Sequence, residues 1–201
     1  FIRNTEARED EKKMALALET QSFVTNLIVA SAETEPVDAI KVTDDAADDP
    51  AIWYNERLPD KSVIYGSNKT AGIHTYDLSG KELQFVPCGR INNIDVRQNV
   101  DLGNGSIDVI AGSNRTGNAI TLFTLDDNGL INFNSRYDLS LGKKFKPYGF
   151  TLYIGKERKL YAFVNSKLGN VDQYRIRQKS NGEFSAQKVR SLKLETQVEG
   201  M

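Results

Sequence analysis

Four aspartates stand within six residues and are followed at once by a proline, in the stretch Asp44-Asp45-Ala46-Ala47-Asp48-Asp49-Pro50. Pro50 removes a backbone donor and favours an extended conformation before it, so the acids are predicted to lie in a loop at the mouth of a strand. Carboxylates this close together repel one another unless a cation lies among them, and Ca²⁺ takes about six to eight oxygen ligands. The stretch therefore indicates either a solvated acidic turn or a calcium site. In the second case Asp48 and Asp49 are the better ligands, and Asp44 and Asp45 remain in solvent.

The composition of the chain excludes several classes of function. With 201 residues, 39% hydrophobic and 26% charged, the chain is long enough for one ordinary globular domain. A net charge of −1 provides no basic field for nucleic acid, and no segment approaches the roughly 18 apolar residues of a membrane span. The single cysteine, Cys88, cannot form an internal disulfide, and the single histidine, His74, has no second ligand at metal-binding spacing. Phosphotransfer through either residue is poorly supported, and His74 is predicted to be structural on a strand.

The elements that must position the acids are mostly strands and turns. Residues 5–19 are rich in Glu, Lys, Ala and Leu and predict a short, weakly packed N-terminal helix. Residues 23–32 end in a sequence that resembles a signal cleavage site, but the acidic residues before them do not suit a signal peptide. The segment is therefore predicted to form a strand. From Asp49 onward, short strand candidates alternate with turns that contain Ser-Gly or Asn-Gly, which is typical of an all-β fold.

Three segments of the chain can be laid over one another. Each consists of a strand, a small polar turn with one cation, and a second strand. The turns contain Gly66-Ser67-Asn68-Lys69, Gly112-Ser113-Asn114-Arg115 and Val164-Asn165-Ser166-Lys167. Their cations recur at steps of 46 and 52 residues. This period, with about four strands in each unit, predicts the blades of a β-propeller.

The repeat also aligns the starts of the blades, where the equivalent residues are Asp49, Asn93, Tyr148 and Glu199. Because the first strand of a propeller blade lines the central axis, these residues are predicted to form part of a ring at one end of the channel. The cations of the three turns are predicted to surround that ring. Such an arrangement suits a polyanion bridged by metal, with calcium on the acids and phosphate oxygens between calcium and the cations. One charged turn alone is more often solvated, but three cations in register favour a shared site.

Several short motifs then occur in the order found in one protein family. They are Glu33-Thr34-Glu35-Pro36-Val37, Asp48-Asp49-Pro50-Ala51-Ile52-Trp53, Asn92-Asn93-Ile94-Asp95-Val96-Arg97, Ser113-Asn114-Arg115, Tyr148-Gly149-Phe150 and Gln197-Val198-Glu199-Gly200-Met201. From about residue 23 to residue 201 the chain resembles the N-terminal half of the β-propeller phytases of the Bacillus type. The resemblance implies a six-bladed propeller with several calcium ions on its axis. It also implies hydrolysis of phytate by a calcium-activated water, at two adjacent phosphate sites.

The resemblance assigns roles to individual residues. The implied catalytic residues are Glu33, Asp48, Tyr148 and Glu199. The implied calcium ligands are Glu33, Asp48, Asp49, Pro50 through its carbonyl, Tyr148 and Glu199. The implied substrate-binding residues are Lys69, Arg115, Lys167 and Asn93. The family often has two successive lysines where this chain has Lys69-Thr70, so one phosphate contact is expected to be absent.

The predicted organisation is a partly helical extension, residues 1–22, followed by an incomplete propeller over residues 23–201. Its blades are expected at about 55–95, 96–145 and 147–194, with the start of a fourth. Two functions follow from this organisation. In the first, the chain belongs to a calcium-dependent phytase of the 3-phytase type, whether or not it is active alone. In the second, it is a non-catalytic propeller that binds calcium-phytate or assists a complete catalytic domain. A propeller that only binds other proteins leaves the register of the cations unexplained.

The expected ligands and partners follow from the same resemblance. The ligands are phytate or other phosphomonoesters, with neither nucleic acid nor membrane as a partner. The missing blades are expected from a further polypeptide or through self-association, and the chain is expected to be secreted, with any signal removed or outside it. Residues such as Phe150, Leu152, Tyr161 and Phe163 are expected on an open apolar flank beside the third blade.

Overall fold

A computed structural model of the protein describes residues 2–23, 25–26, 28–37, 45–103 and 105–200, with the backbone alone for residues 2–10. The chain divides into two units, Phe1–Glu33 and Thr34–Met201. The first unit contains helix α1, Ile2–Gln21, which confirms the predicted helix and extends it at both ends. Side chains 11–21 of this helix are exposed. Among the described residues, no helix combines the length and the apolar character needed to cross a membrane.

The strand predicted for residues 23–32 is wrong for the described part of that segment. These residues form a turn, bends and irregular structure. The side chains of Phe23 and Ile28 are 78% and 94% exposed. Strand propensity reflects packing against neighbouring strands, and the described residues of this segment pair with none, so their apolar character alone does not produce a strand.

The second unit contains three antiparallel sheets of four strands each, in which every strand pairs with its neighbours in sequence. The first sheet comprises β1 Ala47–Trp53, β2 Val63–Asn68, β3 Gly72–Tyr76 and β4 Glu82–Pro87. The second comprises β5 Ile91–Asp101, β6 Ser106–Asn114, β7 Ala119–Thr124 and β8 Tyr137–Ser140. The third comprises β9 Pro147–Ile154, β10 Leu160–Ser166, β11 Asn170–Gln178 and β12 Phe184–Lys193. Each sheet is a propeller blade, which confirms the predicted all-β fold.

The first blade begins earlier than predicted, at Ala47 instead of residue 55. Of the acidic motif that was expected in a loop, Asp48, Asp49 and Pro50 have strand conformation inside β1, whereas Asp45 precedes the strand and Asp44 lies outside the described residues. The missing N–H of Pro50 is tolerated because β1 stands at the edge of its sheet and pairs with β2 alone. The strands of the second blade span residues 91–140, where 96–145 was predicted, and those of the third span 147–193, where 147–194 was predicted.

Two apolar layers join the blades. Between the first and second blades the buried side chains include Trp53, Tyr65, Ile73, Ile110 and Phe123. Between the second and third blades they include Val109, Leu122, Phe150, Leu152 and Leu160. The expectation of an open flank is wrong for Phe150 and Leu152, which face the second blade and are 4% and 1% exposed, whereas Tyr161 and Phe163 are half-buried.

Candidate anion-binding site

A β-bulge in the first strand of every blade builds the site. The pairing register skips at the same place in each blade, so that two residues of the first strand lie opposite one residue of the second. The three sets are Asp48 and Asp49 opposite Ser67, Asn92 and Asn93 opposite Ser113, and Tyr148 and Gly149 opposite Asn165. A bulge bends its strand and redirects the side chains that it carries. Here it recurs at the position where the sequence predicts a ring.

The residue opposite each bulge joins its blade to the following chain segment. Its side chain accepts a hydrogen bond from an N–H of its own first strand and donates one to a carbonyl further along the chain. In the order donor, bridging residue and carbonyl, the three sets are Asp49–Ser67–Asn92, Asn93–Ser113–Tyr148 and Gly149–Asn165–Glu199. All three bridging residues are buried. The bridges fix the relative height of successive blades, and the sequence showed only the small polar residue, not its function.

The bridges correct the predicted ring by one residue. By register and by hydrogen bonding, Asp48, Asn92 and Tyr148 occupy equivalent positions, and Glu199 receives the third bridge as Asn92 and Tyr148 receive the first two. The structure therefore places Asp48 and Asn92, not the predicted Asp49 and Asn93, at the ring positions of the first and second blades. The Asn93 side chain instead accepts a hydrogen bond from Asn92 Nδ2 at 2.8 Å. The extra residue of a bulge has no signature in the hydrophobic pattern, so a repeat alignment can slip by one there.

The three predicted cations lie where the repeat puts them, on the turns between the second and third strands of each blade. Lys69 follows β2, Arg115 follows β6 and Lys167 follows β10. Each cation contacts the ring residue of its own blade. The sequence found these residues because a turn keeps its length even where the strands before it differ.

Lys69 is bound to two carboxylates. Its Nζ lies 2.6 Å from Asp45 Oδ2 and 3.2 Å from Asp48 Oδ1, and its side chain is 15% exposed. Burial opposes the charge of the ammonium group, but the hydrogen bonds to Asp45 and Asp48 outweigh it and raise the pKa of Lys69. Asp45 itself is largely in solvent, as predicted. Lys69 therefore remains positively charged and partly neutralised by its neighbours.

The other two cations contact neutral groups. Arg115 donates a long hydrogen bond of 3.4 Å from one guanidinium nitrogen to Asn92 Oδ1. Lys167 places its ammonium 4.5 Å from the centre of the Tyr148 ring, which is within the range of a cation–π contact. Neither contact cancels the charge, so both cations retain their attraction for an anion.

Tyr148 connects the third blade with the segment that follows β12. The hydrogen bond with the Glu199 carboxylate raises the pKa of the Tyr148 hydroxyl to about 12, and burial contributes less. The two backbones are also close, because a Cβ atom on Gly149 would overlap the Glu199 carbonyl. Tyr148 and Glu199, both predicted site residues, are thus brought together at the ring.

One cavity of about 540 Å³ lies among these groups. It is lined by Asp45, Lys69, Thr70, Arg90, Asn92, Arg115, Tyr148 and Lys167. Arg90 was not found from the sequence, although it directly precedes the second blade and its carbonyl accepts a hydrogen bond from the Arg115 N–H at 2.8 Å. Four cations around one cavity, with few carboxylates, form a site for an anion.

The oxygen donors at the ring suit a hard cation in type, since they are carboxylates and a phenol and include neither histidine nor cysteine. Among the described residues, no group of three or more His, Cys, Asp or Glu lies together. Asp49 accepts a hydrogen bond from the Ile94 N–H at 3.0 Å. Burial raises the pKa of Asp49, although this hydrogen bond opposes the effect. The calcium roles of Asp48, Asp49, Pro50, Tyr148 and Glu199 stay predictions, as does that of Glu33 in the other unit.

The two residues that the sequence set aside as nucleophiles lie inside the first blade. His74 is on β3, as predicted, and its side chain is 11% exposed. Burial raises the pKa of the Cys88 thiol to about 12, so this residue remains a buried thiol at neutral pH.

Fold and site together define a protein of the β-propeller class with a cationic cavity at the turns of its blades. The phytase family model matches residues 12–201. The 3-phytase of Bacillus subtilis (strain 168) is 38% identical over 179 residues, which cover 87% of this chain and 46% of that protein. The chain thus belongs to the phytase family, and it spans about half of the length of this curated relative. A solved structure of BBS1N in complex with ARL6DN, soaked with lead, covers 74% of this chain and 43% of its own, at 14% identity and a TM-score of 0.47.

Proposed function

We propose that this chain forms the phosphate-binding side of a phytase active site, in a protein that releases phosphate from phytate. The observation that carries the proposal is the convergence of Lys69, Arg115 and Lys167 on one cavity. Hydrogen bonds between guanidinium or ammonium groups and phosphate oxygens are among the strongest in proteins, and arginine binds phosphate through two parallel bonds. Phytate carries several phosphates on one ring, which suits a cavity lined by several cations. The family and the curated 3-phytase support the same substrate.

Calcium is part of this proposal. When bound, calcium would neutralise phosphate charge and lower the pKa of a bound water. Asp48, Tyr148 and Glu199 are the ring residues proposed as its ligands, and Asp49, Pro50 and Glu33 are proposed as further ligands. The cations of this chain have a separate role, because Arg115 and Lys167 stabilise the negative charge that grows on the phosphate oxygens during the reaction.

The test is phosphate release from phytate with and without a calcium chelator. We expect release to stop when calcium is removed and to return when calcium is added back in excess of the chelator. A parallel assay of Arg115→Ala separates substrate binding from metal binding, because Arg115 is not a predicted calcium ligand. Phosphate release that is unchanged by the chelator contradicts the calcium assignment. Phosphate release that is unchanged in Arg115→Ala contradicts the assignment of the cavity as the phosphate-binding site.

A non-catalytic module is the second candidate. It is favoured by one observation, that the described residues bring together no group of three acids. Such a module binds calcium-phytate, or supports a complete catalytic domain, and releases no phosphate itself. Calorimetry together with the phosphate assay distinguishes the two functions, since the module shows heat of binding without turnover and the enzyme shows both.

A further inference from the structure

Asn68 holds the turn that presents Lys69 to the cavity. Its side chain is 2% exposed, and its Oδ1 accepts hydrogen bonds from the Thr70 N–H at 2.9 Å and from Thr70 Oγ1 at 2.7 Å. A backbone N–H can only donate, so the Asn68 atom that faces it must be the oxygen. The amide nitrogen of Asn68 therefore points the other way, into the blade.

The nitrogen of Asn68 meets the only histidine of the chain. Asn68 Nδ2 lies 3.2 Å from His74 Nε2, and His74 Nδ1 lies 2.5 Å from Glu82 Oε2. An amide nitrogen only donates, so His74 Nε2 must accept and carry no proton. The ring proton then stands on Nδ1 and is donated to Glu82. The ring is held in place by stacking on Phe85, with centroids 4.5 Å apart.

The second blade makes the same connection with a threonine hydroxyl in place of the imidazole. Asn114 Oδ1 accepts from the Thr116 N–H at 2.9 Å, and Asn114 Nδ2 donates to Thr121 Oγ1 at 2.9 Å. Thr121 Oγ1 donates in turn to Asp138 Oδ1 at 2.6 Å. Thr121 stands opposite Gly112 in the second blade, as His74 stands opposite Gly66 in the first. In both blades an acceptor on the third strand orients the asparagine that supports the cation turn.

We propose that His74 is a positioning residue for the anion-binding cavity, because its unprotonated Nε2 orients Asn68 and thereby holds the turn of Lys69 and Thr70. The proposal rests on the proposed phosphate-binding function of that cavity. Protonation of His74 places an N–H opposite the N–H of Asn68. The amide nitrogen of Asn68 then stays buried without an acceptor, or the amide group rotates by half a turn and its oxygen loses the hydrogen bonds from Thr70. Either change removes the support of the turn and weakens anion binding.

Among the described residues around His74, two have titratable side chains, Glu82 on β4 and Tyr76 on β3. The remaining residues around it are uncharged. Burial, and then the charge of Glu82, raises the pKa of Tyr76, so that this phenol stays neutral. Glu82 favours the imidazolium and Asn68 favours the neutral ring. The two neighbours therefore act on the ring in opposite directions.

The first experiment is on the unaltered chain. Because the chain has one histidine, the ¹⁵N and ¹H signals of a single imidazole identify its tautomer. At pH 8 we expect the proton on Nδ1 and an unprotonated Nε2. A proton on Nε2 at pH 8 overturns the proposal whatever the variants show.

The second experiment measures sulfate binding, because sulfate keeps its charge from pH 8 to pH 5 whereas phosphate does not. His74→Gln supplies an acceptor that cannot be protonated, and His74→Thr copies the solution of the second blade in case the first variant does not fold. On going from pH 8 to pH 5, we expect the affinity of the unaltered chain for sulfate to fall about fivefold relative to either variant. A positive charge on His74 acting only at a distance would strengthen sulfate binding, which is the opposite sign.

The outcomes separate this proposal from the function on which it rests. If neither the unaltered chain nor the variants bind sulfate at any pH, the phosphate-binding function fails, and the pH dependence of the Thr70 amide signal still decides the role of His74. If sulfate binds and the pH profiles of the chain and His74→Gln coincide, the positioning role fails and the cavity stands. If His74→Thr and His74→Gln show the same pH profile of sulfate binding, the relevant property of residue 74 is its ability to accept the hydrogen bond from Asn68.

Discussion

The cavity cations that lie on the blade turns differ in what already neutralises them. Lys69 is bound by two carboxylates, whereas the guanidinium of Arg115 donates a hydrogen bond to the neutral amide oxygen of Asn92. Arg115 therefore loses least when it turns to an incoming phosphate. Its planar group also offers two parallel donors, which an ammonium does not.

Arg115→Ala should weaken the binding of phytate by tenfold or more, since hydrogen bonds to charged groups contribute about 1.5–3 kcal/mol. The matched control is Lys81→Ala, which removes the same charge from an exposed turn of the first blade. Isothermal titration calorimetry measures both affinities. Equal affinities for the two variants would remove Arg115 from the site.

The pair Tyr148 and Glu199 predicts a dependence on high pH. The hydrogen bond to Glu199 raises the pKa of Tyr148 from 10.0 to about 12. A pKa that is raised on folding contributes stability that is complete below the ordinary value and is lost as the pH rises through the raised one. The contribution of Tyr148 should therefore be present up to pH 10 and vanish by about pH 12.

Glu199→Gln should lower the pKa of Tyr148 toward the ordinary value, because the amide removes the negative charge and keeps the shape. Ultraviolet absorbance of the phenolate reports the titration, and Tyr148→Phe identifies which component belongs to this residue. An unchanged titration in Glu199→Gln shows that the two side chains are not paired.

At the scale of single residues, the sequence predicts the cations of the turns but not every residue of the ring. Lys69, Arg115 and Lys167 were predictable because the strand–turn–strand unit repeats around them. Asn92 was missed by one position because a bulge adds a residue without changing the alternation of apolar side chains. Arg90 was missed because it belongs to the connection between blades, which the repeat does not describe.

At the scale of elements, the bridging side chains opposite the bulges determine how successive blades meet. Ser113 is buried and uses its hydroxyl both as acceptor, from Asn93, and as donor, to Tyr148. Ser113→Ala should lower the free energy of unfolding by about 1–3 kcal/mol, because it leaves buried backbone groups unpaired. Ser106→Ala, at an exposed position of the same strand β6, should change it by less than about 0.5 kcal/mol.

Urea denaturation followed by circular dichroism compares these two variants. Equal stability of Ser113→Ala and Ser106→Ala would mean that the bridges do not support the contact between blades. A loss confined to Ser113→Ala, with weaker phytate binding, would mean that the height of Tyr148 depends on the bridge.

Elements could be predicted from the sequence where they pair locally. The blades were found because each strand pairs with its neighbour in sequence, so that composition and turns carry the information. The strand at residues 23–32 was not, since a strand exists only beside a partner, which propensity does not reveal. The start of β1 was placed too late because Pro50 and the acids before it suggest a loop, whereas an edge strand accepts both.

At the scale of the whole molecule, apolar side chains remain exposed on the outer blades. Ile52 on β1 is 61% exposed, Tyr153 on β9 is 52% exposed and Val189 on β12 is 48% exposed. Exposed apolar area favours association. We propose that these faces are covered by a further polypeptide of the same family or by a second copy of this chain.

The mass of the isolated chain in solution, measured by sedimentation or light scattering, checks this proposal. We expect a dimer or larger species for residues 1–201 alone, and less than the full calcium content of a complete phytase. A stable monomer that binds its full calcium complement and turns over phytate would show instead that three blades suffice.

The central claim is that the cations of three blades form one site for the phosphates of phytate. The most direct test is a calorimetric titration with phytate of the unaltered chain and of two triple variants. One variant changes Lys69, Arg115 and Lys167 to alanine. The other changes three exposed lysines to alanine and so alters the net charge equally: Lys81, Lys144 and Lys156. We predict that binding is lost in the cavity variant and retained in the surface variant. Equal binding by both variants would contradict the claim, because attraction by overall charge would then account for it.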